Sequence, residues 1–208
     1  MSDLKKQYLD LKLSENQLEI RRQFSEFDKA KKFCNYLESN GINYDVVIKH
    51  KEVLGCNESE KYYERFSSYL DYGYSICKNL FLRERKGLKR HFLVVTDSRK
   101  QIDLKDLKEV LVSKKLEFVP EDEMRKLINT HPGNVSLFNM IYDKDKKVDL
   151  IIDKELLGNS FLVFHPLYNG MSMFIEPEEC IKFLNLIKRK PNFVEIIDKE
   201  NEKKYIRK

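Results

Sequence analysis

The sequence has no tryptophan and little glycine or proline, 7 and 5 residues among 208. Glycine and proline punctuate loops, so their scarcity assigns most of the chain to regular helices and strands. Disordered and fibrous classes are excluded, and a hydrophobic fraction of 41% is enough for a packed core. No apolar run approaches the roughly 20 residues that cross a bilayer. The opening residues MSDLKKQYLDLKLSE lack the apolar centre of a secretion signal. A cytoplasmic protein with no membrane partner is expected. The four cysteines, Cys34, Cys56, Cys77 and Cys180, include no Cys-x-x-Cys pair. They are read as reduced thiols, with neither a disulfide framework nor a metal site. Gly-x-Ser-x-Gly, His-Glu-x-x-His, Walker-type and Gly-x-Gly-x-x-Gly patterns are also missing. That removes the nucleophile elbow, the zinc helix and the usual phosphate loops, and no cofactor is expected.

What the chain does have is 13 Phe, 11 Tyr and a charged fraction of 35% with a net charge of +5. The tightest basic cluster is Arg83, Arg85, Lys86, Lys89 and Arg90, around a turn at Lys86-Gly87. Such a hairpin suits a phosphate backbone. A solvated turn is the plainer alternative.

Periodicity gives a coarse outline. Residues 1–24 look helical and polar. A firmer helix covers Phe27–Ser39, capped by Ser25 or Asp28 and stopped by Asn40-Gly41. A strand at Ile42–His50 and a helix at Ser59–Tyr72 follow. Then come strands at Tyr74–Arg83 and Arg90–Thr96, and short helices at 103–112 and 120–129. Strands are expected at Ser136–Tyr142, Val148–Asp153, Phe161–His165 and Gly170–Glu176, with Asp143–Lys147 a hairpin loop. A helix at Pro177–Lys190 and a strand at Phe193–Asp198 complete the chain. The sum is one α/β domain on a mixed, curled sheet with helices outside.

Three spots exceed what structure alone demands. Lys78 lies inside the apolar strand Cys77-Lys78-Asn79-Leu80-Phe81-Leu82, opposite in face to Asn79. It suits a phosphate or a substrate carbonyl, or else snorkels at the sheet edge. His131-Pro132-Gly133-Asn134-Val135-Ser136 is a turn entering a strand, able to present backbone N–H groups to an oxyanion, or simply a turn. Phe161-Leu162-Val163-Phe164-His165-Pro166 brings an imidazole to a strand end, where sites are often built, though a structural histidine is commoner.

In order and spacing, these segments resemble the YbaK-like aminoacyl-tRNA editing domains, of the free-standing prolyl-tRNA deacylase type. The resemblance runs through Lys78–Arg83, Lys86-Gly87, His91–Val95, His131–Ser136, Ile141–Asp145 and His165–Asn169. It implies a partial barrel wrapped by helices and the hydrolysis of mischarged tRNA, chiefly alanine on tRNA for proline. The tRNA acceptor end is then the partner, with prolyl-tRNA synthetase as a second, and the oligomeric state is left open. It also implies catalytic roles for Lys78, Gly133 and His165, and a pocket bordered by His50, Asn79, Ser136, Phe138, Asn169 and Met171. The basic residues Arg83, Arg85, Lys86, Lys89 and Arg90 would hold the tRNA. Leu137 and Asn139 depart from the family's proline and glycine, and both are expected to border the amino-acid pocket. A deacylase for Cys- or Ser-tRNA and a non-catalytic tRNA-binding or regulatory module are the rival readings. The expected organisation is a helical extension over 1–25, the editing domain over 26–198 and a charged tail over 199–208. A free-standing protein is favoured over a domain excised from a synthetase.

Overall fold

Apolar residues at helical spacing make helix α1, Gln17–Ser39, amphipathic: Ala30, Phe33, Cys34 and Leu37 are buried, while Lys31, Lys32 and Asn35 are exposed. This computed structural model describes residues 8–10, 17–52 and 73–199. The helix ends at Asn40-Gly41 as expected, with Gly41 at φ 68° and its N–H donating to the Glu38 carbonyl. Its start differs. α1 begins well before Ser25 and Asp28, so neither caps it, and it runs across the boundary expected at residue 25.

Part of the polar N-terminal segment is not helical. Tyr8–Asp10 forms strand β1, parallel to β2, Val46–Lys49. The open edge of β2 offers backbone partners, and this outweighs a weak local helical pattern. The helix expected at Ser59–Tyr72 lies outside the described residues.

The remaining strands are β3 (Tyr74–Glu84), β4 (His91–Asp97), β5 (Leu116–Phe118), β6 (Val148–Asp153), β7 (Phe161–Phe164), β8 (Met171–Ile175) and β9 (Asn192–Val194). They form a mixed sheet of order β1-β2-β8-β7-β3-β4-β6-β9, with β5 added to β3. The sheet does not close into a barrel, since β1 and β9 stand at its two ends. Among the described residues the further α-helices are α2 (Leu104–Val110), α3 (Glu121–Ile128) and α4 (Pro177–Leu186). Asp103 caps α2 by accepting from the Lys105 N–H at 2.8 Å, and Pro177 opens α4 at its first turn.

Strand β3 organises the sheet. Residues 74–76 pair with β7, residues 77–83 with β4 and residues 82–84 with β5. Its side chains alternate between two environments. Cys77 and Phe81 enter the main core, where Phe138 packs against Phe33, Phe164 and Phe183 at centroid distances of 4.9, 5.5 and 5.3 Å. On the other face, Ile76 joins an apolar cluster with Val46, Ile48, Val163 and Phe174. Leu80 and Leu82 join a separate one with Phe92, Val94 and Ile151. Lys78 stands between these two clusters.

One expected strand is absent. Ser136–Tyr142 does not extend; Leu137–Ile141 is a 3-10 turn. The Ser136 N–H donates to Asn139 Oδ1 at 2.7 Å, and the Asn139 N–H returns to the Ser136 carbonyl at 3.0 Å. This local closure competes successfully with a ladder.

Candidate active site

The interval between the two apolar clusters is polar and crosses the sheet face. At its centre, half-buried Lys78 donates through Nζ to the Ser98 carbonyl at 3.3 Å and to the Lys100 carbonyl. The turn bearing those carbonyls is itself anchored. Lys100 Nζ binds the buried Asp153 carboxylate at 2.8 Å, Glu155 at 2.5 Å and the Ile196 carbonyl at 2.7 Å. Asp153 also accepts from the Thr96 hydroxyl at 2.7 Å, and Thr96 is the residue opposite Lys78 on β4. Lys78 is therefore held on an anchored turn, on a strand inside the sheet rather than snorkelling at its edge.

Towards β2 and β8 the polar band continues through histidines. His50 Nε2 lies 2.9 Å from Ser172 Oγ, and the His50 N–H donates to the Gly170 carbonyl at 2.9 Å. His165 follows β7, one step beyond Phe164 and, by alternation, on the face of Val163. Burial pushes its imidazole down to about 4, and the nearby His50 and His131 push the same way; a backbone hydrogen bond at Val135 opposes them. His165 is therefore neutral at pH 7, and its buried Nδ1 has no hydrogen-bond partner among the described residues. Burial also lowers His50. Three of the protein's four histidines thus gather around this band.

The loop of Gly133 is stapled to the loop after His165. The Asn134 side chain donates to the Leu167 carbonyl at 3.0 Å and accepts from the Asn169 N–H at 2.8 Å. Asn169 Nδ2 donates back to the Gly133 carbonyl at 3.2 Å, and Ser136 Oγ donates to the His165 carbonyl at 2.8 Å. Gly133 itself sits at φ 83°, exposed, in the left-handed region that glycine adopts without cost. Leu167 adopts φ 66° although it carries a branched side chain, so this loop stores backbone strain beside the candidate site.

The structure groups His165, His50, Gly133 and Asn169, with Lys78 two residues beyond the last β3–β7 pair as His165 is, and it separates others. Phe138 and Met171, expected to border the pocket, are fully buried in the main core. Alternation explains Met171: its neighbour Ser172 takes the polar face and contacts His50. Ser136 is fully buried and acts through the His165 backbone. Asn79 lies on the face opposite Lys78, as alternation requires, and its buried Oδ1 lacks a hydrogen-bond partner among the described residues. Leu137 and Asn139 do not border a pocket. Leu137 is core, and Asn139 is spent on Ser136 and on the Ile128 carbonyl at 3.3 Å.

The basic hairpin also divides. Arg83 is taken by Glu117 at 2.8 Å and Glu123 at 2.5 Å, and Arg90 by the buried Glu84 at 2.9 Å and the Val112 carbonyl at 2.8 Å. Arg85, Lys86 and Lys89 remain exposed at the tip, with Arg85 3.7 Å from Glu117. Sequence pattern alone does not single out Ser172, Asn134, Thr96, Lys100 and Asp153 as site residues. Strand alternation from His50 and Lys78 is the available signal for Ser172 and Thr96. The other three depend on long-range contacts. Among the described residues no group of His, Cys, Asp and Glu could hold a metal ion, and no helix is long and apolar enough to cross a membrane.

The structure is an α/β domain with a polar band carrying Lys78, His165 and His50 across one sheet face. The family model described as the aminoacyl-tRNA editing domain matches residues 63–183, more than half the chain, and the chain belongs to that family. The prolyl-tRNA editing protein ProX of Acetoanaerobium sticklandii is 36% identical over 148 residues, covering 71% of this chain and 85% of that protein. Prolyl-tRNA synthetase associated domain-containing protein 1 of Danio rerio is 26% identical over 177 residues, covering 84% of this chain and 86% of its own length. A solved structure described as a candidate trans-editing enzyme for prolyl tRNA synthetase shares the fold, with TM-score 0.57 and 16% identity over 82% of this chain and 97% of that one. The family expected from the motifs is borne out, and with it the class of aminoacyl-tRNA hydrolase.

Proposed function

We propose that the chain is a trans-editing deacylase that hydrolyses the ester of mischarged tRNA for proline, with alanine as the amino acid removed. The observation that carries this reading is the polar band itself: a fixed ammonium, Lys78, and a neutral imidazole, His165, between two apolar clusters of one sheet face. Family membership and the relatives named for prolyl-tRNA support the substrate class.

In the reaction, water attacks the ester carbonyl carbon, the carbonyl oxygen gains negative charge, and the bond to the terminal ribose oxygen then breaks. The ribose oxygen takes a proton, and the free amino acid and tRNA leave. Lys78 provides positive charge for the oxyanion or for the terminal phosphate. Within Pro132-Gly133-Asn134, proline has no N–H and the Asn134 N–H is occupied by the His131 carbonyl at 3.0 Å, so the Gly133 N–H is the donor assigned to the ester carbonyl. His165, neutral at the working pH, accepts a hydrogen bond from the attacking water, and Asn169 and His50 shape the pocket. A second sieve of this kind is needed because one methylene separates side chains by only about 1–3 kcal/mol.

The test is a deacylation assay with Ala-, Cys- and Ser-charged tRNA. Ala-tRNA for proline is expected to be hydrolysed fastest, and a folded Lys78→Ala variant to lose at least ~100-fold in rate, the scale of removing one oxyanion donor. A wild-type rate for Lys78→Ala would exclude the role given to that lysine. Hydrolysis of Cys- or Ser-tRNA in preference would move the reading to another mischarged tRNA. No hydrolysis of any charged tRNA, with tRNA still bound, would favour a binding module.

A further inference from the structure

A cavity of about 520 Å³ opens between helix α1 and the loop of Leu167, lined by Ser25, Asp28, Lys29, Lys32, Tyr36 and Tyr142, with Phe33, Ile141 and Leu167 beneath. Its size is that of a small-ligand site, for which roughly 300–1,000 Å³ is usual. The walls combine rings and cations. Lys29 Nζ is fixed by the Asn129 carbonyl at 3.1 Å and lies 5.3 Å from the Tyr142 ring centroid. Tyr36 is half-buried and stacked on Phe33 at 6.3 Å with an interplanar angle of 22°. Lys32 is exposed at the rim, one helical turn from both Lys29 and Tyr36. Two ammonium groups face one carboxylate, Asp28, among the lining residues.

The cavity is joined to the reaction centre. Leu167, which lines it, stands two residues from both His165 and Asn169, about 7 Å of extended chain. Asn134 bonds the Leu167 carbonyl at 3.0 Å and reaches Glu26 of α1 at 3.5 Å, so the helix that forms one wall is tied to the Gly133 loop. Aromatic platforms interleaved with lysines bind single-stranded nucleic acid, the rings stacking bases and the ammonium groups meeting phosphates.

We infer that this cavity holds a nucleotide of the single-stranded acceptor end, next to the terminal residue whose ester is hydrolysed. A base stacks on Tyr36 or Tyr142, and its phosphate meets Lys32 and Lys29. The inference rests on the function proposed above, but its test needs no hydrolysis.

Two uncharged acceptor-stem RNA hairpins are compared for binding, one ending in single-stranded CCA and one blunt. The wild-type protein is expected to prefer the CCA-ended hairpin by about tenfold, the scale of one stacked base. Lys32→Glu, at an exposed position, and Lys29→Gln should each lose most of that preference. Each should also make the dependence of log affinity on log salt shallower by about 0.7 for every phosphate no longer neutralised. Cytidine monophosphate should compete with the CCA-ended hairpin at concentrations where inorganic phosphate does not. Equal wild-type affinity for the two hairpins, full preference in both variants, or equal competition by inorganic phosphate would each overturn the inference. A protein that shows the preference yet deacylates nothing refutes the proposed function and leaves the cavity assigned. One that deacylates without the preference does the reverse.

Discussion

At the scale of single residues, environment sets the chemistry more than identity does. His165 and His91 are both strand-associated histidines, yet His91 meets the Glu123 carboxylate at 2.7 Å, whereas His165 is desolvated beside two other imidazoles. A histidine held near 4 when folded, against an ordinary value of 6.5, is neutral in the native state while the unfolded chain takes up a proton. Stability is therefore full above pH 6.5 and is lost as pH falls from 6.5 towards 4, and His50 adds to the loss in the same direction. The urea midpoint should be lower at pH 5 than at pH 7, and His165→Asn should flatten that difference. An unchanged slope in the variant would mean that His165 is not the group responsible. Asp97, held at about 2 by its bonds to Arg99 and Ser75 against the cost of burial, acts in a separate window below 3.8. Asn139 illustrates a different kind of dependence. Its amide joins the Ser136 N–H to the Ile128 carbonyl inside the core. Asn139→Ala leaves both buried groups unpaired and should cost about 1–3 kcal/mol in denaturant unfolding.

At the scale of elements, alternation and helical spacing make most of the fold readable, because burial on one face imposes those periods. β3, β4, β6, β7, β8 and α3 match the segments expected for them to within a residue at their ends, while α2 and α4 stop two and four residues short of theirs. The failures share a cause. β5, Leu116–Phe118, is three residues long and exists because the edge of β3 accepts it. The 3-10 turn at Leu137–Ile141 reads as a strand by its apolar content, and only the Asn139 side chain decides otherwise. Lys78 and Gly133 stand out in the sequence as candidates, since a lysine within a strand and a glycine in a turn are locally odd. The clamp of Asp153 and Lys100 does not, because it joins residues brought together by the sheet. Gly170 belongs with the positions where local sequence is decisive. A Cβ placed there would lie 2.5 Å from the ring of Tyr168, which is itself buried, while the Gly170 carbonyl holds the His50 N–H. Gly170→Ala should displace Tyr168 and with it the His50–Ser172 pair. A lowered melting temperature together with reduced deacylation is expected; a variant unchanged in both would show that the ring moves freely.

At the scale of the molecule, the question is where a net charge of +5 is available to a polyanion. Much of the basic hairpin is not. Arg83 joins Glu117 and Glu123, Arg90 joins Glu84, and these pairs hold β5 and α3 against β3 and β4. The cations left at the tip, Arg85, Lys86 and Lys89, stand beyond Glu84, which is roughly 20 Å along β3 from Lys78. That separation is too great for the nucleotide whose ester is cut. It suits the double-stranded stem that follows the single-stranded end. Changing Lys86 and Lys89 together to Glu should therefore weaken tRNA binding at low salt and flatten its salt dependence by about 0.9 for each phosphate left unneutralised. The preference for a single-stranded end should survive, since the cavity beside Leu167 is intact. Arg83→Ala should behave oppositely, lowering the melting temperature through the loss of Glu117 and Glu123 while leaving the salt slope unchanged. If the Lys86 and Lys89 changes leave affinity at low salt as it was, the stem is gripped elsewhere and the hairpin tip only keeps the protein in solution. If Arg83→Ala flattens the slope as much as they do, the division of the hairpin into structural and tRNA-facing charges is wrong.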